Sequence, residues 1–360
     1  MTLADLFGPG IAYTSRRSPT MAGWGPTAHG VPDYQTGNQL TIAGRMPCVA
    51  SAGVATAPAL RLLADAGLPI EAELHLYRSP AEYLDLLRQL ASRGLRLAAQ
   101  RAHPPEEIQP AASLVPVDLL CALNDKGRME EFVPAGWLPP RRLLEVSELP
   151  PAEELLAGGQ PVVLKVATAL PSGGGHGVWV CRAPADVEAA RAALSRERFV
   201  VVEKFLPIRR SVCVHAVARR EGSVSITGFA EEVCDADGRW LGNWLDAEAD
   251  ALPEEVPRVV REIVESAAAR GYRGIAGVDV GFPEDGPPRV LDLNFRVNGS
   301  TGAAWLRTSV ERARGAGSMR LRSFSCESGF QALLRAARGA MERRALIPLC
   351  LYDPAASASG

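Results

Sequence analysis

The chain has 360 residues, 47% hydrophobic, 6% aromatic and 22% charged, with a formal net charge of −2. That length can bury two or three cores, and the composition is that of a globular protein rather than a disordered or fibrous one. The near-zero charge, with arginine pairs scattered instead of gathered in one stripe, leaves no electrostatic footprint for nucleic acid. No apolar run approaches the ~18 residues of a membrane span.

Seven cysteines, Cys48, Cys121, Cys181, Cys213, Cys234, Cys326 and Cys350, stand singly with no Cys-x-x-Cys. The pattern fits reduced thiols in a cytosolic protein better than a disulfide framework or a zinc site. The opening MTLADLFGPG carries an acidic residue and a Pro-Gly break where a signal peptide needs a basic flank and an apolar core. The expectation is a soluble, cytoplasmic protein.

Residues 1–118 begin with a Gly/Pro-rich opening, then a helix-like ALRLLADAG, a strand ELHLY, an amphipathic helix from Pro80 to Arg93 and a strand LRLAAQ. Ser79 and Gly94 punctuate that helix as N-cap and C′ residue. Together these elements predict an incomplete doubly wound α/β layer. His29, His103 and His215, and the neighbourhood of Trp24, Tyr34 and Gln35, are candidates for substrate contacts, although a lone histidine is more often structural.

In residues 119–202, PVVLK ends a strand at Lys165, and the loop Ser172, Gly173, Gly174, Gly175, His176, Gly177 leads into the strand VWVC. Gly-rich loops let backbone N–H groups approach phosphate oxygens without Cβ interference. This loop joins two strands, whereas the Walker loop and the dinucleotide fingerprint run from a strand into a helix. It therefore reads as a hairpin lid, with Lys165 either an exposed charge or a point charge for phosphate. A helix is expected from Ala183 to Arg196.

Beyond it, FVVVEKFLP places Glu203, Lys204, Phe205 and Leu206 at a strand end, where a hinge backbone could pair with the edge of adenine. A helix from Pro257 to Arg270 precedes the strands GIAGVDVGF and VLDLNF. Alternation at period two puts Asp292, Asn294 and Arg296 on one face and Leu291, Leu293 and Phe295 on the other. Asp279, between Val278 and Val280, can bring a second carboxylate to the same edge. Mg²⁺ is usually held by one or two carboxylates plus nucleotide phosphates and water, so the pair suggests a metal–nucleotide site. The Arg/Gly/Ser-rich stretch 311–325 reads as an exposed or mobile loop, or equally as a disordered connector. A helix is expected from Phe330 to Arg343, and a flexible tail after it.

Taken in order, these parts resemble the ATP-grasp superfamily over most of the chain. The resemblance implies an N-terminal α/β domain (1–118), a central lid (119–202), a C-terminal ATP-grasp subdomain (203–350) and a tail (351–360), with ATP and Mg²⁺ (or Mn²⁺) clasped between lid and C-terminal subdomain. It makes Lys126, in LNDKGRMEEFVP, and Lys165 the nucleotide-binding lysines, residues 172–177 the phosphate loop and Glu203, Lys204, Phe205 and Leu206 the adenine hinge. Asp279, Asp292 and Asn294 become metal ligands, and Arg296 acts near the transferred phosphate and the reacting carbonyl. Neither lysine is expected in a core. One segment departs from the family: Arg209, Arg210 and Ser211 stand where many members keep an acidic ribose contact, which leaves that role to His215, Glu231 or Glu232.

Within the superfamily, the NDK segment followed by VPAGWLPPRRLLEVSEL, the GNW from Gly242 to Trp244, LNFRVNGST and the closing LIPLCLYDP resemble amino-acid and peptide ligases of natural-product pathways, including the pheganomycin-type peptide ligases. This implies a small carboxylate substrate, activated as an acyl phosphate and attacked by the amine of an amino acid or peptide, with ADP and phosphate released. A homodimer stays open, with neither nucleic acid nor membrane as a partner. The alternatives are a phosphotransferase, a carboxylate–thiol ligase and a nucleotide-binding protein without ligase activity.

Overall fold

A computed structural model describes all residues except 22, 25–30, 171–174, 236–237, 247–250, 316 and 358–360. Among the described residues three sheets carry the fold. The first is parallel, ordered β3-β2-β1-β4, with β1 Ile11–Thr14, β2 Pro47–Ser51, β3 Glu73–Tyr77 and β4 Arg96–Ala99. The helix Pro80–Ser92 begins where Ser79 Oγ accepts the Glu82 N–H and ends before Gly94, whose φ is 83°. Its buried stripe, Tyr83, Leu87 and Leu90, recurs at helical spacing and packs on Ala12, Val49, Tyr77 and Leu97.

The second sheet is antiparallel, ordered β5-β8-β6-β7, with β5 Arg141–Glu145, β6 Val162–Ala167, β7 Val178–Cys181 and β8 Phe199–Lys204. Alternation gives it two unlike faces. Leu164, Val166, Val200 and Val202 pack on Val187 and Ala190 of the helix Pro184–Ala193. The opposite face carries Arg141, Lys165 and Glu203.

The third sheet, ordered β13-β12-β9-β10-β11-β14, is also antiparallel. Its strands are β9 Ile208–Ala218, β10 Val224–Cys234, β11 Trp240–Asp246, β12 Gly274–Pro283, β13 Arg289–Asn294 and β14 Ser318–Leu321. The helix Glu255–Ala269 lays Val256, Val260, Ile263, Val264 and Ala267 into one core with Val212, Val214 and Val278.

Three sequence expectations differ from this arrangement. The first part of the segment grouped as lid packs elsewhere: Leu120, Leu123, Met129, Phe132 and Val133 enter the core of the third sheet, where their apolar side chains find a larger surface to bury. The stretch 311–325 is no loop throughout; it finishes the helix Thr301–Arg314 and supplies β14, an edge strand paired with β11 from Asn243↔Leu321 to Asp246↔Ser318. Met319 and Leu321 alternate with exposed Ser318 and Arg320, a period-two signal masked by the arginines. The closing tail is docked as far as Ser357, whose Oγ lies 2.7 Å from Ser51 Oγ, while the Asp353 N–H donates to Gly53 O at 2.9 Å. A Cβ at residue 53 would meet Ser357 Oγ at 2.5 Å, so glycine permits this close approach. Among the described residues no helix is long and apolar enough to cross a membrane.

Candidate nucleotide and metal site

β13 lies against β12 with Asp292 opposite Asp279, Leu293 opposite Val278 and Asn294 opposite Gly277. The next pair is Val280↔Val290, so Leu291 is the extra residue of a β-bulge. The bulge brings Val290 onto the core face beside Leu293, at 0% and 3% exposure, and removes the half-buried Leu291 from it. Strict alternation thus holds from Asp292 onward but not before it. Phe295 is buried edge-on against Tyr272, with ring centroids 4.8 Å apart.

Both lysines singled out in the sequence meet this strand. Asp125 Oδ1 accepts the Gly127 N–H at 2.8 Å and starts a 3₁₀ turn, Lys126–Glu131. From its first residue Lys126 Nζ reaches Asp292 Oδ1 at 2.5 Å. Lys165 Nζ donates to Leu291 O at 3.0 Å and pairs with Glu203 Oε2 at 2.5 Å, and Arg141 Nη1 stands 3.3 Å from Glu203 Oε1. Contrary to expectation, both lysines are buried, at 5% and 6% exposure, in an ionic layer between the lid sheet and the third sheet.

Glu203 therefore turns its side chain inward to two cations. At the strand end the Lys204 N–H donates to Pro140 O at 2.9 Å, so that donor is already used within the protein. The Lys204 side chain is exposed, Leu206 is half-buried, and Phe205 lies under the Arg182 guanidinium at 5.8 Å.

The carboxylates of the site differ in their electrostatics. Burial would raise the Asp292 carboxyl, but Lys126, Lys165 and Arg296 outweigh it and hold the group below its ordinary range. Asp279 is pushed well above that range by burial, reinforced by Glu232 and Asp292. Its Oδ2 accepts the Asn294 amide at 2.8 Å, whereas Oδ1 is buried without a hydrogen-bond partner among the described residues. Glu232, raised by burial and by Asp292, accepts Ser211 Oγ at 2.6 Å. Among the described residues no three His, Cys, Asp or Glu side chains form a ready-made metal cage. Even so, the hard oxygen donors of Asp279, Asp292 and Asn294, with an orphaned carboxylate oxygen among crowded acids, fit a cation that keeps water and phosphate ligands.

Arg296 follows β13, and its Nη1 donates to Asn124 Oδ1 at 2.8 Å. Burial lowers its guanidinium, and the charges of Asp292 and Asp279 act in the other direction. Asn124 and Arg141 are members of this site that the sequence did not place in it, whereas Glu232, expected as a candidate ribose contact, stands among its carboxylates. For Asn124 and Arg141 the only sequence cue was the position of Asn124 next to Asp125 and Lys126.

Of the predicted phosphate loop, Ser172, Gly173 and Gly174 lie outside the described residues, as does His29. His176 is exposed. Gly175 and Gly177 have φ of 79° and 80°, and a Cβ at residue 177 would meet Val166 Cγ1 at 2.5 Å. A side chain there would strain both backbone and packing. His215 is fully buried, with Nε2 3.1 Å from Ser300 Oγ, and burial lowers it to about 4. His103 packs between Tyr83 Oη at 2.8 Å and the Arg101 carbonyl at 2.9 Å. Trp24 docks on the lid, donating to Glu197 Oε1 at 2.8 Å and meeting Trp179 edge-on. The carbonyls of Tyr34 and Gln35 accept from Cys350 Sγ and Ser15 Oγ.

Two family models match the chain. Residues 2–121 match the L-aspartate–L-methionine ligase N-terminal domain, and residues 139–294 match the ATP-grasp region of L-aspartate–L-methionine ligase. Lys126 falls between the two matched segments and Arg296 just beyond the second. Among solved structures, N5-carboxyaminoimidazole synthetase from Staphylococcus aureus, complexed with ADP, is similar with a TM-score of 0.55 at 14% identity, over 82% of this chain and 72% of that one. An L-amino acid ligase from Bacillus licheniformis is similar at 0.51 and 12%, over 84% and 70%. The biotin carboxylase domain of the Hydrogenobacter thermophilus 2-oxoglutarate carboxylase, in complex with MgADP, ADP and bicarbonate, is similar at 0.54 and 16%, over 81% and 65%. At these identities the likeness concerns the ATP-grasp fold.

Proposed function

We propose that this chain, whose residues 2–121 and 139–294 match the two L-aspartate–L-methionine ligase models, is an ATP-grasp carboxylate–amine ligase that activates an acidic amino acid with ATP and Mg²⁺ and joins it to the amine of a second amino acid or small peptide, releasing ADP and phosphate. The observation that carries the proposal is the ionic layer in which Lys126, from the 3₁₀ turn, and Lys165, from the lid sheet, reach Asp292 and the Leu291 carbonyl of β13. The aspartate of the matched family supports an acidic substrate, and the likeness of the motifs to pheganomycin-type peptide ligases supports an amino acid or peptide as the amine.

A carboxylate is a poor electrophile, and phosphorylation supplies it with a leaving group. Lys126, Lys165 and the loop of residues 172–177 hold the polyphosphate, and the strand end at Lys204, Phe205 and Leu206 borders the adenine, with the Glu203 side chain turned inward to Lys165 and Arg141. Asp279, Asp292 and Asn294 would hold Mg²⁺, which would supply charge neutralisation at the phosphoryl oxygens. Arg296, steadied by Asn124, offsets charge that develops on the transferred phosphoryl and on the tetrahedral oxygen when the amine attacks. The lid excludes water, which would otherwise hydrolyse the acyl phosphate.

The test is incubation with ATP, Mg²⁺, L-aspartate and pooled amino acids, with phosphate release and product mass read together. A dipeptide with ADP and phosphate, and a hydroxamate when hydroxylamine is present, is the expected result. AMP would replace acyl phosphorylation with adenylation, and a stable phosphorylated product would favour the phosphotransferase.

A further inference from the structure

The segment after β1 is tied to the N-terminal domain by one buried carboxylate. Glu107, 6% exposed, accepts Ser18 Oγ at 2.8 Å and the Thr20 hydroxyl and N–H at 2.6 and 3.3 Å, all on its Oε1, while the Met21 N–H donates to Ser18 Oγ at 3.0 Å. Hydrogen bonds to a carboxylate are among the strong ones, so the segment leaves this domain from a firm anchor. Three residues beyond Met21, Trp24 lies against the lid. Its Nε1 donates to Glu197 Oε1 at 2.8 Å, its ring meets Trp179 of β7 edge-on with centroids 5.5 Å apart, and it packs on the core that holds Leu164, Val166 and Val187. A strap therefore runs from the N-terminal domain to the lid sheet.

The strap lands on the end of the Gly-rich loop. A Cβ at residue 177 would stand 3.6 Å from Trp24 Cδ2, and one at residue 175 would stand 3.0 Å from Gly238 O and 3.1 Å from Arg239 Cα, which precede β11. The loop is thus touched at Gly177 by an indole from the N-terminal domain and at Gly175 by backbone of the third sheet. Within the hairpin the Val166 N–H donates to Gly177 O at 2.8 Å and the Val178 N–H to Gly175 O at 3.3 Å. Glycine loses more conformational freedom on ordering than any other residue, so a loop of this composition resists being held in one shape. A neighbour that holds it before a ligand arrives leaves the ligand less ordering to do.

We propose that Trp24 is a positioning residue for the Gly-rich loop: it holds Gly175 to Gly177 in the shape that receives polyphosphate, and the anchor at Glu107 makes that shape depend on the N-terminal domain. The assignment rests on the nucleotide-site reading and adds a residue that lies outside both sheets clasping the nucleotide. Two measurements on the full-length protein test it. Isothermal titration with Mg²⁺ present compares a non-hydrolysable ATP analogue with adenosine, which shares the base and ribose but lacks the phosphates. Hydrogen exchange read by mass spectrometry follows the Val166 and Val178 amides without ligand.

Trp24→Ala should weaken the ATP analogue roughly tenfold, the order expected when the ligand itself must fix about one more loop residue. It should leave adenosine affinity unchanged and speed exchange of both amides. Trp24→Phe, which keeps a ring against Trp179 but lacks the indole N–H, should restore part of the analogue affinity. Glu197→Ala removes the acceptor from the lid side and should act in the same direction; it is the second probe if Trp24→Ala does not fold. A Trp24→Ala protein that melts lower yet binds the analogue as wild type does, or one in which analogue and adenosine weaken equally, overturns the assignment and leaves Trp24 a packing residue. Failure of the nucleotide-site reading looks different: wild type itself would bind the analogue no better than adenosine, while exchange would still quicken in Trp24→Ala.

Discussion

Glu203 offers the sharpest separation between a nucleotide contact and an internal counter-ion. Its side chain is 3% exposed and lies between Lys165 and Arg141, whose side chains are 8% and 4% exposed. Glu203→Gln would leave two buried cations facing a neutral amide. Removing one partner of a buried ion pair costs about 3–5 kcal/mol. Glu203 Oε1 stands 3.3 Å from Arg141 Nη1 without satisfying hydrogen-bond geometry, which places the expected loss at the lower end of that range. With a shift of about 2–4 °C per kcal/mol for a unit of this size, the melting midpoint should fall by roughly 6–12 °C. Differential scanning fluorimetry with and without a non-hydrolysable ATP analogue and Mg²⁺ reads this directly. Because the phosphates would supply Lys165 with a replacement anion, the analogue should stabilise the variant by more degrees than it stabilises wild type. An unchanged midpoint without nucleotide, accompanied by lost analogue affinity, would refute the internal pairing and return Glu203 to the adenine hinge.

Four further outcomes are expected. Asp292→Asn and Asn294→Ala should each raise the Mg²⁺ concentration needed for half-maximal ATP turnover, and an unaltered requirement in both would remove them from the metal site. Leu293→Ala should destabilise the protein by about 2–5 kcal/mol in urea unfolding and Leu291→Ala by clearly less, because the bulge takes Leu291 off the core face; the reverse ranking would mean that the bulge is absent. Arg296→Met should lower kcat by about 10²–10³ with little change in affinity for the ATP analogue, since its charge is needed most as phosphoryl transfer proceeds. His215, whose folded value lies near 4 because of burial, binds a proton more readily when unfolded. Its contribution to stability is therefore present above about pH 6.5 and is lost as pH falls toward 4, amounting to about 3 kcal/mol over the window; the pH slope of the melting midpoint between 4 and 6.5 should be shallower in His215→Gln than in wild type.

The helix Pro80–Ser92 was legible because its caps and its apolar spacing are local, as was the pairing of two acidic strands. The helix from Pro184 and the hairpin of β6 and β7 were legible for the same reason. What escaped notice depended on partners distant in sequence. The bulge at Leu291 exists only because β12 fixes the register of β13, and no spacing within VLDLNF announces it. Glu203 read as a strand end because Lys165 lies 38 positions earlier in the chain and Arg141 on another strand. Residues 119–133 looked like the start of a lid because their apolar residues do not declare which sheet they will cover. The arginines of β14 concealed an edge strand, since one half-buried face with two side chains is a weak signal until β11 is beside it.

The same long-range pairs bear on how the site would work. In the form described here its charges neutralise one another inside the protein, Lys126 on Asp292 and Lys165 on Glu203. On the proposed reading, nucleotide binding is then an exchange of partners: polyphosphate takes Lys126 from Asp292, and the freed carboxylate becomes available to the metal. Metal without nucleotide must compete with an ammonium group 2.5 Å from its ligand, and nucleotide without metal must leave Asp292 buried with one neighbour fewer. Each ligand therefore removes an obstacle to the other. Linkage requires the two effects to be equal, so the factor by which Mg²⁺ tightens the nucleotide is the factor by which the nucleotide tightens Mg²⁺. On the same reading Lys126 would set that coupling, because its ammonium group would have to leave Asp292 in both steps.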